Sequence, residues 1–397
     1  MIADRVKDIG ASPTMMVAAE AKKLKSEGVD VIDLSMGEPD FDTPNNIKDA
    51  GKRAIDENHT RYTLNPGTNE LRTAIAAKLK RDNQLEYKLN EIIVSSGAKQ
   101  SVYNSILATI NPGDEVIIPN PYWVSYPAMV SLAQGKMLVI DTDESTGFKV
   151  TPDQLRKAIT PKTKMFILCN PSNPTGSAYT RKELEALAEV VLESNFYVLT
   201  DEIYEKMVYD DFEFVSFPSL DRNLKDRTII VNGISKAYAM TGWRIGYTAA
   251  NEKVISAINK IQSHSTSHAS SISQVAAIEA VAGPQYVIHE MLDDFRNRRE
   301  FFYNALTSID GITCYKPEGA FYLFPNVSQY FNKKTDVLKI ENSFDLAMHL
   351  LYEAHIAVVP GSAFGKEGYL RLSYATSMDH LKEAVIRMKK ALGHLHP

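Results

Sequence analysis

The sequence is poor in the features that mark exported, membrane-spanning or nucleic-acid-binding chains. Its 397 residues include two cysteines, Cys169 and Cys314. Two thiols do not make a disulfide framework, and neither stands in a CxxC or a metal-ligand spacing, so both read as reduced structural residues. No apolar run approaches the ~20 residues of a membrane span. The opening MIADRVKDIG carries acidic residues and no apolar centre, so no secretory leader is expected and the cytoplasm is the expected location. The Asn-His-Thr and Asn-Val-Ser triplets then count as chance matches to glycosylation acceptors. A basic excess is also missing. The formal net charge is -5, which argues against nucleic acid or an anionic membrane as a partner. No GxGxxG follows a strand-like run, which disfavours a dinucleotide enzyme. The stretch Gly361-Ser362-Ala363-Phe364-Gly365-Lys366 is one residue short of a phosphate loop and lacks its Ser/Thr.

What remains is an ordinary globular composition, 44% hydrophobic and 23% charged, on a chain too long for one small core, so two domains are expected. Short apolar runs recur at residues 92–94, 116–118, 165–168, 197–199 and 229–231. Continuous apolar strands of this kind suit a parallel sheet buried on both faces. Helical patterns lie between them. Leu184, Leu187, Ala188, Val191 and Leu192 follow a capping box of Thr180 and Glu183. Thr151 followed by Pro152 marks another start. Strand alternating with helix predicts an α/β fold, with ligands beyond the carboxyl ends of the strands. After about residue 285 a long polar helix (285–306) leads to a segment with fewer strands. That segment closes on an amphipathic helix carrying Leu381, Val385, Met388 and Leu392, and it reads as a second domain.

The ends of the predicted strands collect reactive groups. One ends Thr200-Asp201-Glu202-Ile203-Tyr204, another Asn232-Gly233-Ile234-Ser235-Lys236, and a third leads to Asn170-Pro171-Ser172-Asn173-Pro174-Thr175-Gly176. Arg244 follows Lys236 by eight residues. A lysine can form a Schiff base with an aldehyde. An aspartate can keep a pyridine nitrogen protonated so that the ring acts as an electron sink. A phosphate wants backbone N–H groups at a helix N-terminus together with an arginine. Ser96-Gly97-Ala98-Lys99 follows the strand at 92–94, opens a helix and can form that cup. Taken singly, the lysine reads as a surface charge and the aspartate as a helix cap; the joint arrangement carries the inference.

The stretch from Gly233 to Gly246, GISKAYAMTGWRIG, resembles the cofactor-lysine signature of class I aminotransferases, which belong to the fold-type-I pyridoxal-phosphate enzymes. NPSNPTG, DEIY, YWVSYP and RLSYATS resemble the family's other landmarks in the family's order, from about residue 12 to 390. Within the family, the chain looks most like the bacterial aspartate aminotransferase branch, which includes members that accept prephenate. The resemblance implies a large domain (45–285) with a mostly parallel seven-stranded sheet between helices. It also implies a smaller α+β domain, discontinuous in sequence (1–44 and 286–397), that closes over the substrate.

Carried over by position, Lys236 holds pyridoxal 5'-phosphate as the Schiff base and moves the substrate proton. Asp201 pairs with the ring nitrogen, Tyr204 and Asn173 bond the ring's phenolic oxygen, and Trp123 stacks on its face. Gly97, Ala98, Lys99, Ser235 and Arg244 belong to the cofactor site, with Tyr62 reaching the phosphate of a neighbouring subunit in a homodimer. Arg371 takes the substrate α-carboxylate, helped by Asn173, Trp123 and Gly37. Lys99 and Thr14, with the run Ser265-Thr266-Ser267 nearby, are placed to serve a distal carboxylate. Many relatives carry a serine where this chain has Gly233, though glycine is also common there, so that hydroxyl contact to the phosphate is missing here. No metal site is implied.

The resemblance thus implies transfer of an amino group between L-aspartate, or a related dicarboxylic amino acid, and 2-oxoglutarate, with prephenate as a further substrate in this branch. An aromatic aminotransferase or a β-lyase on the same fold would share the cofactor residues. A cofactor-bound transcriptional regulator would need a DNA-binding domain ahead of the substrate glycine, for which the residues before Gly37 leave no room, and a basic surface the charge balance opposes.

Overall fold

In the computed structural model, which describes residues 2–7, 9–10, 13–335 and 338–397, the apolar runs become strands of one sheet. A short strand, β1 (Ile32–Asp33), precedes it. The sheet contains β2 (Ile92–Ser95), β3 (Glu115–Asn120), β4 (Lys136–Asp141), β5 (Thr163–Cys169), β6 (Tyr197–Asp201), β7 (Thr228–Gly233) and β8 (Gly246–Ala249). Their order is β2-β8-β7-β6-β5-β3-β4. Only β8 runs against its neighbours, so the sheet is seven-stranded and mostly parallel.

Both faces are apolar because successive side chains point to opposite sides. Ile92, Val94 and Ile230 enter one core, beneath the helices Asn45–Asp56, Asn69–Asn83 and Ser271–Ala282. Ile93, Val116, Ile118 and Val231 enter another, beneath Ala98–Thr109 and Glu252–Ser263. The helices begin where local chemistry demands. The Thr151 and Thr180 hydroxyls each accept a hydrogen bond from the third helical N–H, and the Gln154 and Glu183 side chains bond back. Two strands escaped the sequence reading. Edge strand β4 has only one fully buried residue, so it shows no apolar run. Strand β8 reads Gly-Tyr-Thr-Ala, too short and mixed to be seen.

A second core forms beyond the sheet. It packs Ile32, Leu34, Phe295, Phe302, Phe321, Leu346 and Leu381 with Tyr204 and Met207 from the loop after β6. Over it lie β9 (Tyr322–Leu323), β10 (Ile356–Ala357), β11 (Val359–Pro360) and β12 (Leu370–Ser373). Strand β10 pairs in parallel with β1, and the other three form an antiparallel sheet in the order β11-β12-β9. The long helix runs over Tyr286–Thr307 and the last over Met378–Gly393, close to the expected bounds.

The segment 37–43 joins the two cores. On one side Arg298 donates to Asp40 at 2.6 Å and lies over the Phe41 ring, which meets Phe295 edge-on. On the other side Thr43 Oγ1 donates to the Ala239 carbonyl at 2.7 Å, and Trp243 Nε1 donates to Thr43 Oγ1 at 3.1 Å.

The loop after β6 is held from below by a buried ion pair. Lys78 Nζ contacts Glu205, and Asn83 bonds both, donating to Glu205 at 2.9 Å and accepting from Lys78 at 2.8 Å. Both charged side chains are nearly inaccessible. Breaking such a pair strands a buried charge, whereas replacing both partners with apolar groups does not. Glu205→Ala is therefore expected to lose about 3–5 kcal/mol of stability, and the double change Lys78→Met with Glu205→Met to recover most of it. Urea unfolding midpoints of the three proteins check this.

Candidate functional site

The carboxyl ends of β2, β3, β5, β6 and β7 open onto one cavity of about 450 Å³, with β12 and the segment 35–38 on its far side. Asp201, the last residue of β6, lies at its floor with 6% of its surface exposed. One carboxylate oxygen accepts from the Tyr126 hydroxyl at 2.8 Å and the other from the Ile203 N–H at 3.4 Å. Burial outweighs these bonds and pushes the carboxyl up to about 6. Such a group is stabilised as an anion by a cation placed against it.

Lys236 enters from the turn after β7. Its Nζ donates to the Gly37 carbonyl. Burial, then the nearby Arg371, bring the ammonium down to about 8, while Glu38 works the other way. About a tenth is therefore neutral amine at pH 7, far more than for an ordinary lysine, and this is the form that attacks an aldehyde. Tyr204 is buried and shares a 2.8 Å hydrogen bond with the Tyr322 hydroxyl. Trp123 meets Tyr126 edge-on at 5.2 Å, and Lys99 Nζ stands 5.1 Å from the Trp123 ring centre.

An anion cup lies at the end of the sheet. Gly97, at φ 86°, caps the helix Ala98–Thr109, whose first N–H groups have no helical partner. A side chain at Gly97 would collide with the Arg244 guanidinium, and one at Gly246 would collide with the Gly97–Ala98 backbone. Glycine is needed at both because backbone and guanidinium approach so closely. Arg244, itself at φ 56°, donates to the Thr241 carbonyl at 2.8 Å. Ser235 is buried and also lines the cavity. Gly233 is tightly enclosed. An added Cβ would stand 3.0 Å from the Ile245 carbonyl oxygen and 3.1 Å from Gly246 Cα. A serine there would need β7 and β8 to shift by a few tenths of an ångström.

Arg371, from β12, closes the cavity opposite Lys236. It is 6% exposed. Its Nη1 donates to Asn173 Oδ1 at 3.1 Å and its Nη2 to the Ser35 carbonyl at 2.6 Å, while Nε has no partner. Its guanidinium carbon is 4.4 Å from the Tyr322 ring centre and 5.2 Å from that of Phe364. Among the described residues, no carboxylate pairs with Arg371 or Arg244. A buried cation without a counter-ion is costly. Buried Arg371 and the more exposed Arg244 facing one cavity with an amine and a buried acid point to a ligand that brings anions.

The cavity gathers Gly37, Ala98, Lys99, Trp123, Asn173, Asp201, Tyr204, Ser235, Lys236, Arg244 and Arg371, with Thr14 at its mouth. The Thr14 hydroxyl is buried without a partner. Two expected contributors stand outside the chain's own cavity. Tyr62 is 94% exposed and touches only the edge of His268 among rings. The run Ser265–Ser267 follows the helix Glu252–Ser263, where Thr266 accepts from Gln100. Lining residues not singled out from sequence include Tyr126, Tyr322, Glu38 and Thr241. Tyr126 lay within the quoted YWVSYP. Tyr322 lay in an aromatic run that reads as core. The Thr241 hydroxyl donates to Glu38 at 2.7 Å, a pairing of distant segments that no local pattern announces.

Residues 29–388 match the family model described as aminotransferase class I and II. An aspartate/prephenate aminotransferase of Nitrosomonas europaea is 50% identical over 395 residues, covering 99% of this chain and 100% of that one. The aspartate aminotransferase of Bacillus subtilis is 47% identical, with 98% of each chain covered. Among solved structures, the aspartate aminotransferase from Rhizobium meliloti superposes with a TM-score of 0.97 at 46% identity over 100% of both chains. The Thermus thermophilus aspartate aminotransferase with maleate gives 0.93 at 39% identity, covering 98% of this chain and 99% of that one.

The raised Asp201 carboxyl has a measurable consequence in the cofactor-free protein. The unfolded chain releases this proton near 3.8 and the fold holds it to about 6, so Asp201 costs the fold stability as pH rises through that window. The Asp201→Asn protein should gain on wild type between about pH 4 and pH 6.5, by on the order of 2–3 kcal/mol. Urea midpoints of both apoproteins across that range test it.

Proposed function

Because the chain belongs to the class I and II aminotransferase family, we propose that it is a pyridoxal-phosphate enzyme. It would move an amino group between L-aspartate, or a related dicarboxylic amino acid, and 2-oxoglutarate. The observation that carries this reading is Arg371. It is a buried guanidinium with an unpartnered Nε and no carboxylate of its own, across one cavity from the Lys236 amine. Prephenate enters as a second candidate substrate through the name of the Nitrosomonas europaea relative.

When bound, the cofactor supplies an aldehyde for an amine and a protonated ring that takes up the electron pair left at the substrate Cα. The residues present fit such a group: an anion cup at Gly97, Ala98, Ser235 and Arg244, an acid at Asp201, a phenol at Tyr204 and an amide at Asn173. In this reading Lys236 would hold the cofactor's aldehyde carbon and would serve as the base for the substrate Cα proton. Its lowered basicity leaves it able to accept that proton. Asp201 holds the proton on the ring nitrogen, the cation its buried carboxylate lacks. Tyr204 and Asn173 donate to the phenolic oxygen, and Trp123 covers the ring and excludes water. Arg371, oriented by Asn173 and the Ser35 carbonyl, grips the α-carboxylate with two parallel N–H donors, helped by Asn173 and the Gly37 backbone.

Lys99 and Thr14 would receive the distal carboxylate. Lys99 lies inside the cavity over Trp123, with its basicity lowered by burial and by Arg244. A lysine holds a carboxylate as a point charge, less rigidly than an arginine fork, which leaves room for a second, larger acid. Tyr62 supports a homodimer, because its exposed phenol is free to reach a neighbouring subunit's phosphate. We place the division between a large domain (45–285) and a closing domain (1–44 and 286–397), with the segment 37–43 as the joint. Among the described residues no helix is long and apolar enough to cross a membrane, and the cytoplasm is the proposed location.

Three measurements test the reading. Mixing the holoenzyme with single amino acids should convert the bound cofactor from its aldehyde to its amine form with aspartate and glutamate. No conversion with any amino acid would remove transamination, and release of product without an acceptor would favour a β-lyase. Lys236→Ala should lose the cofactor's characteristic absorbance and about 10²–10⁴-fold of turnover; retained absorbance would exclude Lys236. Lys99→Ala should raise KM for aspartate by roughly tenfold or more, as expected for a lost charge-assisted bond, and leave KM for alanine nearly unchanged. Equal effects on both would remove Lys99 from specificity.

A further inference from the structure

Tyr322 is not among the residues that sequence motifs single out, yet it touches both halves of the cavity. It is fully buried and sits on β9, paired with β12 so that Tyr322 lies opposite Ser373. Its ring lies 4.4 Å from the Arg371 guanidinium carbon. Its hydroxyl is 2.8 Å from that of Tyr204, which follows the central strand β6. The same hydroxyl would be 3.4 Å from a Cβ placed on Gly37. One side chain therefore meets the carboxylate-binding arginine with its face and the ring-binding phenol with its tip.

The direction of the hydroxyl pair follows from proton counting. A phenol has one proton to donate. If Tyr204 donates its proton into the cavity, it can only accept from Tyr322. Tyr322 then spends its proton on Tyr204 and becomes the second member of a donor chain. A donor that itself accepts a hydrogen bond becomes a stronger donor. Burial keeps both phenols protonated. The other charged or titratable groups facing the pair are Arg371 from β12, Cys169 at the end of β5 and Lys236, whose Nζ is 5.9 Å from the Tyr204 ring centre.

We propose that Tyr322 is a positioning residue with two separable parts, a ring that supports the Arg371 fork and a hydroxyl that aims and strengthens Tyr204 as a donor to the cofactor's phenolic oxygen. The proposal rests on the cofactor reading above. The hydroxyl favours the phenolate, so its loss should make the bound chromophore harder to deprotonate.

The test is a pH titration of holoenzyme absorbance, with maleate affinity measured alongside. Tyr322→Phe should raise the titration midpoint by about half a pH unit or more, roughly threefold in the protonation equilibrium, and hold the maleate Kd within about twofold. Tyr322→Leu should weaken maleate by up to about tenfold, because the cation loses its aromatic face. Adding Tyr322→Phe to Tyr204→Phe should move the midpoint no further, since the hydroxyl acts only through Tyr204. An unchanged midpoint in Tyr322→Phe, or a full additional shift in the double variant, overturns the hydroxyl role. Unchanged maleate affinity in Tyr322→Leu overturns the ring role; if that variant does not fold, the same readout is made on Tyr322→Met. A wild-type protein without a titrating chromophore would instead overturn the cofactor reading itself.

Discussion

The site depends on a guanidinium buried without a carboxylate. Arg371 is held by the Asn173 side chain, the Ser35 carbonyl and two aromatic faces. These contacts direct the charge but do not neutralise it, so the fold carries an electrostatic deficit that an incoming anion relieves. Arg244, more exposed, places a second guanidinium without a carboxylate at the other end of the cavity, and Asp201 is the opposite case, a buried acid awaiting a cation. The cavity is thus complementary in charge to a ligand anionic at two ends and cationic at its ring.

Keeping these charges apart requires two frameworks. The parallel sheet supplies Asp201, the Lys236 turn and the anion cup, because five of its strands end at one edge. The small antiparallel sheet supplies Arg371 and Tyr322. The segment 37–43 bridges them, through Glu38 to Thr241 on one side and Asp40 to Arg298 on the other. Asn173 belongs to both frameworks: it extends from β5 yet accepts from Arg371. Movement of the small sheet would change the arginine's position relative to the lysine while leaving the ring site intact.

The fold was legible where burial is two-sided. Strands β2, β3, β5, β6 and β7 show as apolar runs because both their faces are covered. Strand β4 did not show, since an edge strand needs few apolar residues, and β8 did not, since its Gly246 serves close approach to the cup. The capped helices at Thr151 and Thr180 were readable because capping is local chemistry. Tyr126 and Tyr322 were missed because buried tyrosines in apolar surroundings look like packing until their hydroxyl partners are seen.

By itself the sequence determined the residue types and their order: a lysine after one strand, an acid after another, a glycine cup before a helix, an arginine near the end. It also determined that this protein is a class I and II aminotransferase, because spaced motifs survive as linear text. Tertiary structure alone decided that Lys99 and Thr14 line the cavity, that Gly233 is tightly enclosed between β7 and β8, and that Tyr62 stands outside its own site. Those outcomes depend on distances between segments far apart in the chain. Such distances are set by how layers pack, and packing leaves no trace in local spacing.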